Sequence, residues 1–199
     1  MVAHDIPAPL AIDRCNGHIA GVGVPTFHLT DMDIGYFNAA MRLTPPLRQQ
    51  RDRDAIRAAL AEGVIDALVS DHTPVDADAK NLPFAESEPG ATGLELLLSL
   101  ALKWGAEAGL SLPATLATVT AGPVRVLGNA LGTLGSSAGR LVEGGVADLC
   151  IFSASRRWTV CPAELRSQGK HTPFSGYDLQ GRVQATVVAG VVAFESARS

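Results

Sequence analysis

The sequence predicts an α/β fold that is followed by a small β-rich part, in a chain of 199 residues. An amphipathic helix is expected at 52–62, because Ile56, Ala59 and Leu60 fall on one side and charged residues cover the other. Gly63 ends this helix, and the apolar run 64–69 is typical of a buried strand in a parallel sheet. A helix that leads through a glycine into an apolar strand is the repeating unit of α/β proteins.

The rest of the chain is divided by its periodicity. We expect a short strand at 21–29, a capped turn or brief helix at 30–40, and helices at 94–108, 114–119 and 124–127. From residue 133 onward, glycine-punctuated apolar runs at 134–135, 139–145, 147–152 and 182–190 predict strands. The sequence therefore predicts an α/β part at 21–132 and a β-rich part at 133–199, with 1–20 left unplaced.

Composition excludes several classes of partner. The net charge is −4, the pI is about 5.7 and the sixteen basic residues are scattered, which argues against nucleic acid. The apolar run 94–102 contains Glu95 and Ser99 and is too short for a membrane span, and a signal peptide is not evident. We expect a soluble cytoplasmic protein with a small-molecule substrate.

The cysteines and histidines form no local metal-binding pattern. Cys15, Cys150 and Cys161 make no CxxC pair, and their odd number favours buried reduced thiols over a disulfide framework. The five histidines make no HxH or HExxH motif.

The strand predicted at 64–69 ends in Ser70, Asp71 and His72. Catalytic groups of α/β barrels lie where strands end at the carboxyl edge of the sheet, so Asp71 is a candidate catalytic residue. The alternative is that Asp71 caps a turn before Pro74. His72 is expected to hydrogen-bond across the strand end rather than to take part in catalysis.

Two further segments carry candidate binding residues. The polar loop 75–93 is long enough to be a lid or a binding loop, and it ends in small residues just before a helix. Gly93 and its neighbours could hold an anionic group with free backbone N–H groups, or could only allow close packing. Upstream, two consecutive prolines at 45 and 46 keep the backbone extended and present Arg48 in a fixed direction.

Several motifs in sequence order resemble the C-terminal half of a dihydroorotase, a cyclic amidohydrolase of the metal-dependent TIM-barrel superfamily. They are HLTD at 28–31, TPPLR at 44–48, SDHTP at 70–74, LPFAESEPGATGLELLL at 82–98, GRLVEGGVADLCIF at 139–152 and HTPFSGYDLQGRVQATVVAG at 171–190. The resemblance covers about 21–195, and the order of several motifs makes it specific.

The resemblance implies a partial (β/α) TIM barrel, represented by its last strands and helices, and a β-sandwich-type C-terminal piece. In this family two zinc ions share a hydroxide that attacks the ring carbonyl of dihydroorotate. The resemblance makes Asp71 a metal ligand and the proton shuttle to the departing nitrogen. It makes Arg48, Thr44 and Gly93 the substrate contacts, with Arg48 pairing with the substrate carboxylate.

The chain also departs from the family pattern. The other ligands of the family lie upstream of the first matching residue, and the paired-histidine motif falls on Pro25 and Thr26. His28 then becomes a bystander, and it is a metal ligand only in a shifted register. Thr44 replaces the usual asparagine, and Val75 replaces a histidine.

Two hypotheses follow from the resemblance. The first is a dihydroorotase-like enzyme of pyrimidine biosynthesis that reversibly hydrolyses dihydroorotate to carbamoyl aspartate with zinc, this chain being incomplete and inactive alone. The alternative is a non-catalytic dihydroorotase-like subunit that partners aspartate transcarbamoylase. An uncapped half barrel is expected to form an oligomer.

Overall fold

The structure is a computed structural model that describes residues 21–136 and 138–196. The predictions for 1–20, including Cys15, lie outside the described residues. The fold is α/β, with a two-stranded parallel sheet and a three-stranded antiparallel sheet. No helix in the described part of the chain has the length and apolar character needed to cross a lipid bilayer.

The helices and strands follow one another from a short strand to an antiparallel sheet. The order is β1 (Gly21–Gly23), α1 (Val24–His28), α2 (Gln50–Ala61), β2 (Ala67–Val69), α3 (Leu97–Glu107), α4 (Leu112–Ala117), α5 (Ala121–Leu127), β3 (Leu149–Thr159), β4 (Asp178–Val188) and β5 (Val191–Glu195). Short 3-10 turns lie at Asp31–Ile34, Ala39–Met41, Leu94–Leu96, Gly128–Ser136 and Pro162–Glu164.

The predicted helix, glycine and strand unit is present as α2, Gly63 and β2. Gly63 has a φ of 72°, the left-handed conformation that favours glycine after a helix. The strand begins later than predicted, because the N–H groups of Val64 and Ile65 both donate to the Ala59 carbonyl at the end of α2. Ala67 and Leu68, which face opposite sides of the strand, are 2% and 1% exposed, and Val69 at its carboxyl end is 41% exposed.

The strand predicted at 21–29 is mostly wrong. β1 ends at Gly23, and 24–28 form helix α1 with Pro25 in its first turn. Proline has no N–H for a sheet and its fixed φ suits the start of a helix, so the chain turns there. The capped turn predicted after it is confirmed, since Thr30 and Asp33 form a reciprocal capping box.

The antiparallel sheet packs on α3. Ser99 of α3 donates its hydroxyl to the Gly181 carbonyl of β4 at 2.9 Å and accepts from the Trp158 indole at 3.1 Å. The buried core includes residues from both sides of position 132, among them Trp104 and Phe174, each 1% exposed. The domain boundary, the partial barrel and the β-sandwich-type piece stay predictions.

Two expectations for the β-rich part are wrong. The runs 134–135 and 139–145 form a 3-10 turn and irregular structure, while β3 and β4 are longer than predicted and β5 was missed. Cys150 and Cys161 are free, as expected, but exposed rather than buried. Cys150 of β3 is paired with Thr186 of β4. Thr186 lies farther along β4 than Gly181, the residue that contacts α3, so the helix does not cover Cys150.

Candidate active site

The two parallel strands place one carboxylate at their shared carboxyl edge. β1 pairs with β2 so that Gly23 is opposite Val69, and Asp71 follows two residues later. A Cβ added to Gly23 would lie 2.7 Å from Oδ2 of Asp71, so the carboxylate lies against the backbone at the end of β1. The glycine provides the space that this carboxylate occupies.

Asp71 has an unusual backbone and an unusual electrostatic environment. Its φ is 49°, a left-handed conformation that aspartate tolerates better than most residues. Burial raises the pKa of its carboxyl group. Within 21–136 and 138–196 no hydrogen bond or ion pair reaches the carboxylate, and both interpretations of Asp71 stay predictions. A strained, partly desolvated carboxylate at a strand end is typical of a functional group.

His72 joins the end of β2 to the segment before α3, as the sequence predicts. Its Nδ1 accepts the N–H of Gly93 at 3.2 Å and that of Leu94 at 3.3 Å. Nδ1 is therefore the acceptor nitrogen of the ring. The structure thus places Gly93 in contact with Ser70 and His72, the two sequence neighbours of Asp71.

Gly93 is closely packed as well as hydrogen-bonded. A Cβ there would lie 2.7 Å from the Ser70 carbonyl oxygen, so a residue with a side chain would clash with the backbone at Ser70. The N–H that the resemblance assigns to a substrate donates to His72 in this structure. A substrate contact at Gly93 stays a prediction.

Thr44 and Arg48 are exposed residues of the segment between Met41 and α2. The Arg48 carbonyl accepts the Asp31 N–H at 2.9 Å, and its guanidinium Nε lies 3.7 Å from Oδ2 of Asp52. The Thr44–Pro45 peptide is cis. No hydrogen bond or ion pair joins Thr44 or Arg48 to Asp71 among the described residues, so their substrate-binding roles stay predictions.

His28 lies in the core rather than beside Asp71. Its ring packs edge-on against Phe27 and Phe174, with centroid distances of 5.5 and 6.2 Å. Burial, assisted by the charge of Arg57, lowers the pKa of His28 to about 4. Its Nε2 is buried and has no partner in the described residues.

The described residues do not fit a metal centre by themselves. No group of three or more His, Cys, Asp or Glu side chains that could hold a metal ion occurs in 21–136 and 138–196. Pro25 and Thr26, where the paired histidines of the family would fall, are buried in α1. Zinc sites use three or four nitrogen, sulfur or carboxylate ligands, and Asp71 supplies one.

One well-anchored residue near the site was missed by sequence reasoning. Lys80 is 8% exposed, although it lies in a polar loop where lysine is ordinarily solvated. Its Nζ donates to the carbonyls of Arg42 at 2.9 Å and Glu88 at 2.5 Å. Burial and the charge of Arg42 lower the pKa of Lys80. The loop is therefore fixed in place, and no local sequence signal indicates this.

Comparison with known proteins places these features in a family. The profile of the Amidohydrolase family matches residues 11–193. The chain belongs to the amidohydrolase family.

The relatives of this amidohydrolase chain confirm the resemblance to dihydroorotases. A dihydroorotase-like protein of Pseudomonas aeruginosa is 41% identical over 167 residues, which are 84% of this chain and 38% of the relative. A dihydroorotase of Anaeromyxobacter dehalogenans is 37% identical over 169 residues, 84% of this chain and 37% of the relative. The chain spans about two fifths of the length of these relatives.

Solved structures show the same fold. The L-hydantoinase (dihydropyrimidinase) of Arthrobacter aurescens superposes with a TM-score of 0.80 and 28% identity, over 93% of this amidohydrolase chain and 41% of that protein. A D-hydantoinase (dihydropyrimidinase) of a Thermus species has a TM-score of 0.76 and 23% identity, over 89% of this chain and 39% of that protein. The second likeness concerns the fold alone.

Proposed function

We propose that this chain is part of a dihydroorotase-like enzyme that hydrolyses a cyclic amide. The proposed reaction is the reversible opening of dihydroorotate to carbamoyl aspartate in pyrimidine biosynthesis, in the cytoplasm. The observation that carries the proposal is the position of Asp71: a half-buried carboxylate with a raised pKa at the carboxyl edge of two parallel strands. The similarity to dihydroorotases supports the same chemistry.

The proposed role of Asp71 is to move a proton. When water adds to the ring carbonyl it loses a proton, and the ring nitrogen must gain one as the C–N bond breaks. A carboxylate can accept the first proton and donate it to the nitrogen, and a raised pKa favours the protonated intermediate form. Arg48 would pair with the substrate carboxylate, and Thr44 and Gly93 would supply further contacts.

We propose zinc as the metal of the assembled protein on the basis of the family resemblance. Because the described residues do not form a metal centre, the remaining ligands would come from other chain segments. We therefore expect this chain alone to bind zinc weakly and to hydrolyse no dihydroorotate, and we expect it to assemble into an oligomer.

A second candidate function is favoured by a different observation. Pro25 and Thr26 are buried in α1, at positions where the resemblance places a histidine pair, and neither offers an ordinary zinc ligand. A dihydroorotase-like subunit with a structural role beside aspartate transcarbamoylase would tolerate this loss. Such a subunit would have no use for the carboxylate of Asp71.

One experiment separates the two functions. The chain is assayed for zinc content and dihydroorotate hydrolysis, alone and with the N-terminal part of a dihydroorotase supplied in trans. With the complement, we expect turnover that Asp71→Asn lowers by about 10²-fold or more, while the exposed control Asp76→Asn leaves it unchanged. Copurification with a transcarbamoylase, together with no effect of Asp71→Asn, would support the second candidate. Stoichiometric zinc and turnover by the chain alone would contradict its predicted dependence on a complement.

A further inference from the structure

The left-handed turn that carries Asp71 is fixed by its neighbours rather than by its own side chain. The carboxylate has no hydrogen bond or ion pair in the described part of the chain, so the backbone decides where it points. A left-handed conformation at a non-glycine residue costs free energy and persists only where the surroundings hold it. The contacts of residues 70, 72 and 73 must therefore supply that restraint.

All three of these residues contact the segment 91–94. The Ser70 carbonyl packs against Gly93, and the Thr73 N–H donates to the Ala91 carbonyl at 2.9 Å. His72 adds the two bonds from the Gly93 and Leu94 N–H groups to its Nδ1. The Ser70 and Thr73 contacts use backbone atoms and survive any change of side chain. The His72 ring is the side chain whose hydrogen bonds fix this turn.

We propose that His72 is the positioning residue for Asp71, a role that rests on the function proposed for Asp71. The imidazole holds the strand end against the start of the helical segment at Leu94, and this keeps the Asp71 carboxylate against Gly23. His72 touches neither a substrate nor a reacting atom in this role. It acts through the backbone of its neighbour.

The requirement is an acceptor atom at the position of Nδ1, which makes the proposal testable with matched variants. His72→Phe keeps a ring of similar shape and removes the acceptor. His72→Asn removes the ring but places a carbonyl oxygen the same number of bonds from the backbone. His171→Phe is the control, because it removes another histidine–backbone bond, from Nε2 to the Ala77 carbonyl at 3.0 Å, and keeps the backbone bond from the Thr92 N–H to the His171 carbonyl at 2.7 Å.

Two readouts on the chain itself need no catalytic activity. In His72→Phe, amide hydrogen exchange at Gly93 and Leu94 should become about tenfold faster, as expected for the loss of about 1.4 kcal/mol of hydrogen bonding. The NMR resonance of the Gly23 amide, against which Asp71 lies, should shift in the same variant. His72→Asn should return the exchange rates and the Gly23 resonance to their values in the unmodified chain, and His171→Phe should change neither.

The outcomes distinguish positioning from a general loss of stability. A folded His72→Phe variant with a lower Tm but an unchanged Gly23 resonance would overturn the proposal, as would failure of asparagine to restore it. If His72→Phe does not fold, His72→Gln replaces it. The amide of glutamine lies one bond farther from the backbone than Nδ1 does, so no acceptor occupies the Nδ1 position and the same changes are expected. In the assembled enzyme, His72→Phe should lower kcat with KM unchanged. Absence of turnover in the unmodified assembly would instead count against the proposed function.

Discussion

Arg42 and Lys80 each bind the backbone of the other's segment. Lys80 donates its Nζ to the Arg42 carbonyl at 2.9 Å, and Arg42 donates its Nε to the Ser87 carbonyl at 3.3 Å, within the loop that carries Lys80. The same Arg42 carbonyl accepts the Gly90 N–H at 3.0 Å. This reciprocal clamp ties the segment before Thr44 to the segment before Gly93. Both predicted substrate-binding segments are therefore held relative to each other.

Removing the lysine of this clamp should destabilise the protein. Lys80→Met keeps the length of the side chain and removes two hydrogen bonds from a charged donor in a buried position. We expect the free energy of unfolding to fall by about 1–3 kcal/mol. Lys103→Met is the control, because Lys103 is exposed and pairs with Glu107, and it should cost about 1 kcal/mol or less. Urea unfolding measures both, and equal effects would contradict a special role for Lys80.

Adding a methyl group at Gly23 should disturb Asp71. The backbone of Gly23 has a φ of −74° and ψ of 136°, which alanine adopts freely, so the clash with the Asp71 side chain at 2.7 Å is the cause of any loss. We expect Gly23→Ala to cost about 1–3 kcal/mol of stability. Gly21→Ala, on the same strand, meets Val69 at 3.6 Å, an ordinary contact, and should change stability by less than about 1 kcal/mol. Chemical denaturation of the two variants checks the difference, and a smaller loss at Gly23 would place the carboxylate elsewhere.

Asp71→Asn should stabilise the chain at neutral pH. Burial raises the pKa of Asp71 above its ordinary value of 3.8, so the folded state disfavours the charged carboxylate. The stability that the uncharged carboxyl gives the folded state is present below pH 3.8 and is lost as the pH rises through the folded-state pKa. The uncharged asparagine is therefore more stable than aspartate only above that pH. We expect a gain of up to about 1 kcal/mol at pH 7, and none at pH 3, by thermal unfolding. Asparagine also adopts the left-handed backbone. A variant less stable than the parent at pH 7 would contradict the electrostatic argument.

His28 should make the protein sensitive to mild acid. Its pKa falls from 6.5 to about 4 because of burial, so between these values the unfolded chain binds a proton that the folded chain does not. Stability from the neutral ring is complete above pH 6.5 and is lost as the pH falls toward 4, by about 3 kcal/mol at most.

His28→Gln, which does not titrate, isolates this effect. Glu107, Lys103 and Arg57 also lie near the ring, and the difference between the parent and the variant removes their shared contribution. The parent should lose stability relative to the variant between pH 6.5 and pH 4.5, measured by urea unfolding at each pH. Parallel pH profiles would show that folding leaves the pKa of the ring unchanged, and would contradict the shift caused by burial.

Secondary structure near the site could be predicted only where local chemistry decides it. The helix before Gly63 and the capping box of Thr30 and Asp33 were predictable, because each depends on residues close in sequence. The strand predicted at 21–29 was overestimated, since its apolar residues after Gly23 pack in α1 against α3 instead of in a sheet. Burial of Cys150 was also misjudged, because its exposure depends on where α3 lies across the sheet.

The sequence by itself determined the α/β class, the family resemblance and the position of Asp71 at the end of a strand. Those features follow from residue order and from hydrophobic periodicity. The tertiary structure alone decided that Asp71 lies against Gly23, that His72 binds the amides of Gly93 and Leu94, and that Lys80 is buried. These contacts join residues that are far apart in the chain. Their energies depend on distance and burial in space, which no local pattern of residues encodes.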